Sequence, residues 1–305
     1  MWAPDTEALT LLDSGGGPFS RRGFREAVIH AVPGWRDVSF GAKLEDGAMA
    51  AVALLARDRR AESVPPEGYG GVIASRALSA EEMHSFLGLM AQTLRLTRLS
   101  VRSLELEAST VAGERLTTAS VVPISHDVPP AARYARLARR SLKRASEAGA
   151  TVVPTDSFET FWPLYAAASE DWAMKYPESL VRQLVDREIA RVYSVRVGGR
   201  AVASLLTLVS NSHWMCWLAA QTDEGRSCAA SYLAYDTVLS EAQTAGIKAV
   251  NLGASVGGGA EFKGHLGAAD VWMREWRHET TAATIARVAR NVVAPLTRPV
   301  RGRLR

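Results

Sequence analysis

The sequence predicts an α/β (α+β) chain made of two tandem units of the same topology, joined by a basic helix. Three observations lead there. A hairpin pattern occurs twice, about half a chain apart; the flanking helices and strands repeat in the same order; and the stretch between the copies is rich in arginine and free of acids. The expected divisions are an N-terminal unit over 1–130, a linker helix over 131–147, a C-terminal unit over 148–280 and a basic helix or tail over 281–305.

In the first copy GAKLEDGAMAAVALLA sets two alternating apolar runs around Asp46-Gly47, and in the second VYSVRVGGRAVASLLTL does so around Gly198-Gly199. Both dipeptides admit the positive φ of the primed turns that close tight hairpins. Upstream of each lies an amphipathic helix: PFSRRGFREAVIHAV with Phe24, Val28 and Val32, then SFETFWPLYAAASEDWA with Phe158, Phe161, Leu164 and Tyr165. Downstream, a helix and a strand are expected in GLMAQTLRLTRLSVRSLEL and again in SYLAYDTVLSEAQTAGIKAVNLG, where Gly246 is placed to stop the helix. Between the copies, AARYARLARRSLKRAS is expected to be a helix entered through Pro129 and Pro130. Its packing stripe would be Tyr134, Leu137, Leu142 and Ala145, with Arg133, Arg136, Arg140 and Lys143 facing outward.

The composition, 47% hydrophobic and 22% charged over 305 residues, is that of a soluble globular protein with a full core. No apolar run approaches the ~20 residues of a membrane span, so stable insertion is not expected. The opening MWAPDTEALTLLDSGGG has neither the basic nor the apolar region of a secretory signal. Cys216 and Cys228 are the only cysteines and form no metal-binding pattern, which suggests a reducing, cytoplasmic setting and no metal. The net charge of +4 hides a segregation. Residues 131–146 and 280–305 hold twelve of the 36 basic residues and no acid, leaving 24 bases against 32 acids elsewhere. An acidic body with basic appendages suits a polyanionic partner, nucleic acid or peripherally an anionic membrane surface; a solvated arginine-rich helix would look the same.

Residues 251–268, NLGASVGGGAEFKGHLGA, concentrate six glycines before and around a lysine. No register fits the phosphate loop G-x-x-x-x-G-K-[ST], because Lys263 follows Phe262. A dinucleotide fingerprint would need a helix directly after the glycines, whereas AEFKGHLGAADVWMREW reads as extended structure leading to a last strand.

Several of these stretches resemble the FemABX-like transferases, which carry two tandem copies of the GCN5-related N-acetyltransferase (GNAT) fold. SYLAYDTVLSEAQTAGIKAVNLG is similar to their helix-to-strand pattern, AEFKGHLGA to their closing aromatic-Lys motif, SVPPEGYGGVIAS to their Pro-x-Gly strand entrance, and RASEAGATVV to the end of their basic interdomain helix. The resemblance covers roughly residues 18–277 and implies transfer of an acyl group to an amine. Its best-known members move aminoacyl groups from aminoacyl-tRNA to peptidoglycan precursors; others act in antibiotic biosynthesis, and a broader branch uses acyl-CoA. It also implies a place for Lys263 at the transfer centre, near the acyl carbonyl or the donor's 3′ end. Asn251 stands where the family usually has an acid, no acid follows the Pro-x-Gly entrance, and there is no long heptad insertion. The expected acceptor is therefore a small peptide or natural-product amine rather than a muramyl peptide.

For the donor, a coenzyme A pyrophosphate would need backbone N–H groups in a loop of the type Q/R-x-x-G-x-G/A. The corresponding stretch, DEGRSCAAS, keeps Arg226 but puts Ser227, Cys228 and Ala229 where glycines are wanted. The basic segments favour aminoacyl-tRNA, with Arg133, Arg136, Arg140, Lys143, Arg287 and Arg290 on phosphates and Phe262 beside the donor. Either donor is a co-substrate, and no cofactor is expected. Lys263, Asn251 and Asp223 are the candidate catalytic residues; Glu224, Asp171, Glu67 and His265 are further candidates for a base. Tyr69, Trp172, Lys175, Tyr176, Tyr232 and Tyr235 have the character to hold an acceptor between the units, and core packing explains them equally well.

Overall fold

Gly198 and Gly199 both take positive φ, +55° and +81°, and close the strands Ala190–Val197 and Arg200–Leu208 into the expected hairpin. Gly47, at +88°, turns Phe40–Leu44 into Met49–Val52 in the same way. The computed structural model of the chain describes residues 1–63, 68–106, 113–170, 175–254 and 258–281.

These hairpins sit in two sheets. The smaller is antiparallel, in the order Trp2–Pro4, Phe40–Leu44, Met49–Val52, Val72–Ala74. The larger has eleven strands: Thr151–Asp156, Ala190–Val197, Arg200–Leu208, Trp214–Gln221, Ala249–Ala254, Glu114–Pro123, Ala269–Glu279, Arg98–Leu104, Arg60–Glu62, Leu55–Arg57 and Arg36–Asp37. Two of its pairings are parallel, Trp214–Gln221 with Ala249–Ala254 and Arg60–Glu62 with Arg98–Leu104.

The amphipathic helices form as the periodicity requires. Arg22–Ala31 buries Phe24, Ala27 and Val28, and Phe158–Ala168 buries Phe161 and Tyr165. Both feed one apolar core shared by the two units, in which Phe19, Phe24 and Tyr69 meet Phe158, Tyr165, Leu206 and Leu218. Ala80–Leu94 starts in a capping box between Ser79 and Glu82. Ala230–Thr244 is followed by Gly246 at φ +71°, the expected stop.

Three expectations change. The linker is a 3-10 turn, Pro130–Arg133, and a helix, Arg136–Glu147, separated by Tyr134 and Ala135 in extended conformation. Tyr134 and Ala145 are buried and Leu142 packs on the core as expected, but Ala138 and Ser141 are buried in place of Leu137, which is 48% exposed. The stretch expected to be extended at Lys263 is a helix, Gly258–His265. Phe262 and Leu266, four apart, pack one face of that stretch against the second unit's core, and Gly267 ends it at φ +79°. Finally, Ala269–Glu279, read as part of the second unit, lies between Arg98–Leu104 and Glu114–Pro123 of the first.

Candidate active site

The site begins where two parallel strands stop pairing. Trp214–Gln221 and Ala249–Ala254 are in register only at Trp214 with Val250 and Met215 with Asn251; both then continue and splay apart. Each wall of the gap is irregular at its mouth. Leu206 pairs with Leu218 and Thr207 with Cys216, so Trp217 is an extra, bulged residue. Opposite, the register with Glu114–Pro123 shifts between Asn251 and Ala254, with Gly253 at φ +88°. Two strand edges with disrupted ladders thus face a gap that an extended ligand can enter by adding backbone hydrogen bonds.

Lys263 closes the mouth. Its Nζ donates to the Ala254 carbonyl at 2.5 Å, and a Cβ on Gly253 would stand 3.6 Å from that Nζ and from the Cys216 carbonyl. Burial lowers the Lys263 pKa, while the Cys216 and Asp270 side chains act in the other direction. The Cys216 thiol, buried under it, is pushed up to about 12 by desolvation and stays protonated. The lysine is held in place because Phe262, its neighbour, packs edge-on against Tyr232 and Tyr235 at 4.6 and 5.2 Å between ring centres. Tyr232 Oη also lies 3.2 Å from His265 Nδ1, and the Ala135 N–H donates to the His265 carbonyl at 2.9 Å. Through that bond, and through packing on Ala230–Thr244, the basic helix Arg136–Glu147 lies directly beside the element that carries Lys263.

Asn251 is buried on the wall. Its Oδ1 accepts from the Gly253 N–H at 2.8 Å, and its Nδ2 donates to Tyr69 Oη at 2.9 Å. Tyr69 Oη is in turn 2.9 Å from Nε2 of His213, whose pKa burial lowers to about 4.

The structure therefore brings Lys263, Asn251, Phe262, Tyr232 and Tyr235 together. It places Tyr69 and Tyr235 differently from expectation. Tyr69 is 1% exposed with its hydroxyl engaged inside the protein, and Tyr235 is buried against Phe262, so both shape the site from behind and neither can face an acceptor. Tyr176 packs at a tilt against Trp217, 4.4 Å between ring centres, at the edge of the shared core, and the exposed Lys175 reaches the Glu170 carbonyl. Arg133, Arg136, Arg140 and Lys143 are all exposed; Arg133 donates to the Pro123 carbonyl, and Lys143 is 3.6 Å from Glu147.

Asp223 and Arg226 are paired with each other at 2.6 Å, both exposed, on the short helix Asp223–Ser227. The one glycine of that segment, Gly225, serves packing: a Cβ would fall 2.3 Å from the Val202 carbonyl. Trp172, Arg287, Arg290, the remaining tail arginines, Asp171 and Glu67 lie outside the described residues. Sequence reasoning missed His213 and Trp217. His213 carries no spacing signal, and Trp217 becomes distinctive only through a bulge that depends on its partner strand.

Comparison with known proteins bears on this geometry. Residues 132–264 match the acetyltransferase (GNAT) domain family. No curated protein sequence matches the chain. The fold is similar to that of FemX, with TM-score 0.69, 12% identity, and 94% of this chain and 99% of that one covered. It is also similar to the C-terminal domain of a protein described as a lysylphosphatidylglycerol synthetase from Agrobacterium fabrum, at TM-score 0.58 and 10% identity, covering 94% and 96%. A conserved protein of unknown function from Bacteroides thetaiotaomicron aligns at TM-score 0.57 and 8% identity, covering 88% and 95%. The splayed strands and Lys263 all fall within the stretch matched to the acetyltransferase family. The chain has a FemX-like GNAT fold, and residues 132–264 are the stretch similar to the acetyltransferase (GNAT) domain family.

Proposed function

We propose that this protein is an N-acyltransferase that moves an aminoacyl group from aminoacyl-tRNA to the amine of a small peptide or natural-product intermediate. The observation that carries the reading is the packing of the arginine-rich helix Arg136–Glu147 beside the helix that brings Lys263 to the splayed strands. Phosphates of an acceptor stem laid along Arg136, Arg140 and Lys143 would release counterions and direct the esterified 3′ end toward the gap. There the amine of the acceptor attacks the ester carbonyl, the new amide bond forms, and the ribose hydroxyl leaves with the proton that the amine gives up. The ammonium of Lys263 opposes the charge that develops on the carbonyl oxygen. No separate base is required, because the leaving hydroxyl can take the proton. A place in the cytoplasm, where charged tRNA is available, follows from this reading.

Transfer from acyl-CoA is the second reading, favoured by the match of residues 132–264 to acetyltransferases. Against it stands the helix Asp223–Ser227, which puts a capped turn and an internal ion pair where a glycine cradle for pyrophosphate would lie. A peptidoglycan-bridge acceptor is compatible with the fold. Incubation with charged tRNA and candidate amines, with and without ribonuclease, tests the choice. Amide formation abolished by ribonuclease is expected; formation that ignores ribonuclease and requires acyl-CoA would overturn the proposal.

A further inference from the structure

A chain of buried hydrogen bonds ends at the transfer site, and its direction can be read from the donors and acceptors. The Gly253 N–H can only donate, so the carboxamide oxygen of Asn251 faces it and the Asn251 nitrogen faces Tyr69. Tyr69 Oη accepts there, and its own proton points to His213 Nε2, 2.9 Å away. His213 is 4% exposed and neutral, so its ring proton is on Nδ1, which lies 3.0 Å from Ser212 Oγ. The Ser212 hydroxyl donates to the Gly16 carbonyl at 3.0 Å. Gly17 makes room for the ring, since a Cβ there would fall 2.5 Å from His213 Cε1.

The chain crosses between the units three times, from Gly16 to Ser212 and His213, back to Tyr69, and over again to Asn251 and Gly253. Its last member adjoins Ala254, the residue on whose carbonyl Lys263 rests. We infer that Tyr69 and His213 are positioning residues for acyl transfer, holding the Asn251–Ala254 bulge so that the first unit sets the geometry of a site built in the second. Neither touches a reacting atom. The inference rests on the acyl-transfer reading of the splayed strands.

The test uses the full chain. Tyr69→Phe removes one oxygen and leaves the ring in the core. It is expected to speed amide exchange at Gly253 and to lower kcat by about tenfold to a hundredfold with little change in donor KM, as slight misplacement of a reacting group does. His213→Gln, which offers an acceptor to Tyr69, is expected to retain most of kcat, and His213→Leu to lose it. Asn251→Asp supplies a second oxygen that accepts from the Tyr69 hydroxyl. It should therefore move the His213 proton from Nδ1 to Nε2, read by nitrogen NMR of labelled histidine with His213→Gln assigning the signal.

Unchanged Gly253 exchange in Tyr69→Phe would overturn the inference, as would an unchanged tautomer in Asn251→Asp or equal activity of His213→Gln and His213→Leu. Faster exchange with wild-type kcat would also overturn it, by showing that the bulge does not govern transfer. Exchange and tautomer are read without substrate. A wild-type protein that fails to turn over any donor while showing the expected exchange and tautomer counts against the functional reading and in favour of the network.

Discussion

The two units repeat one topology and differ at the point where chemistry is possible. In the second, Trp214–Gln221 and Ala249–Ala254 share two register positions and then leave a gap. In the first, the corresponding strands Val72–Ala74 and Arg98–Leu104 belong to different sheets, and the edge of Arg98–Leu104 is filled from within. Arg60, Ala61 and Glu62 pair with Arg98, Leu99 and Ser100, and the Gly70 and Gly71 N–H groups donate to the Arg102 carbonyl. The hairpin Leu55–Arg57 and Arg60–Glu62 therefore fills in the first unit the place that stands open in the second. A splayed sheet with an unpaired edge is a binding site or a liability; one copy keeps it open and the other closes it with its own chain.

The largest effect expected from this contrast is at the open gap. Lys263→Ala should lower kcat by about 10²–10³ in an aminoacyl-transfer assay, the scale for removing a group that meets an oxyanion. Arg98→Ala, on the filled edge, loses only a partly exposed ion pair with Glu279, and its kcat should stay within about twofold of wild type. At the filled site the effect should appear in stability instead. Ala61→Asp puts an unpaired charge at a position 1% exposed, and urea unfolding should show a loss of about 3 kcal/mol or more.

His213 links the two units and gives the contrast a pH dependence. Burial keeps it neutral down to about pH 4, against 6.5 in the unfolded chain, so the unfolded state takes up the proton first. Its contribution is complete above about pH 6.5 and falls by ~3 kcal/mol as pH drops toward 4; denaturant midpoints across that range should show the slope, and His213→Gln should flatten it. A smaller effect is expected at the basic helix. Arg136→Glu with Arg140→Glu should weaken tRNA binding and reduce the slope of log affinity against log salt by about two, one per phosphate contact removed. Smallest of all, Leu137→Gln should leave the unfolding midpoint within about 0.5 kcal/mol of wild type, because that leucine is outside the core.

What could be read from the sequence was what neighbours in the chain decide. Asp46-Gly47 and Gly198-Gly199 specify their hairpins by φ alone, and the spacing of Phe24 with Val28 or Phe161 with Tyr165 specifies a helix face. Lys263 was legible through the motif around it. The linker face was legible at Tyr134, Leu142 and Ala145 and misjudged at Leu137, which the extended Tyr134 and Ala135 before the helix leave off the packed side. Asn251 and Tyr69 stood out singly, but their link through His213 was invisible, because Tyr69 meets residues 144 and 182 positions away and no local pattern marks His213. The placement of Ala269–Glu279 between two strands of the first unit was likewise beyond reach, since strand order in a sheet is settled by partners and not by propensity.

That inserted strand governs how the molecule can be made. During synthesis, residues 98–104 and 114–123 emerge from the ribosome well before residues 269–279, which pair with both. Until those residues are made, both strands lack the partner that lies between them, and Glu114–Pro123 also lacks Ala249–Ala254 on its other edge. The sheet of the N-terminal half is therefore completed only once its closing strand has been made.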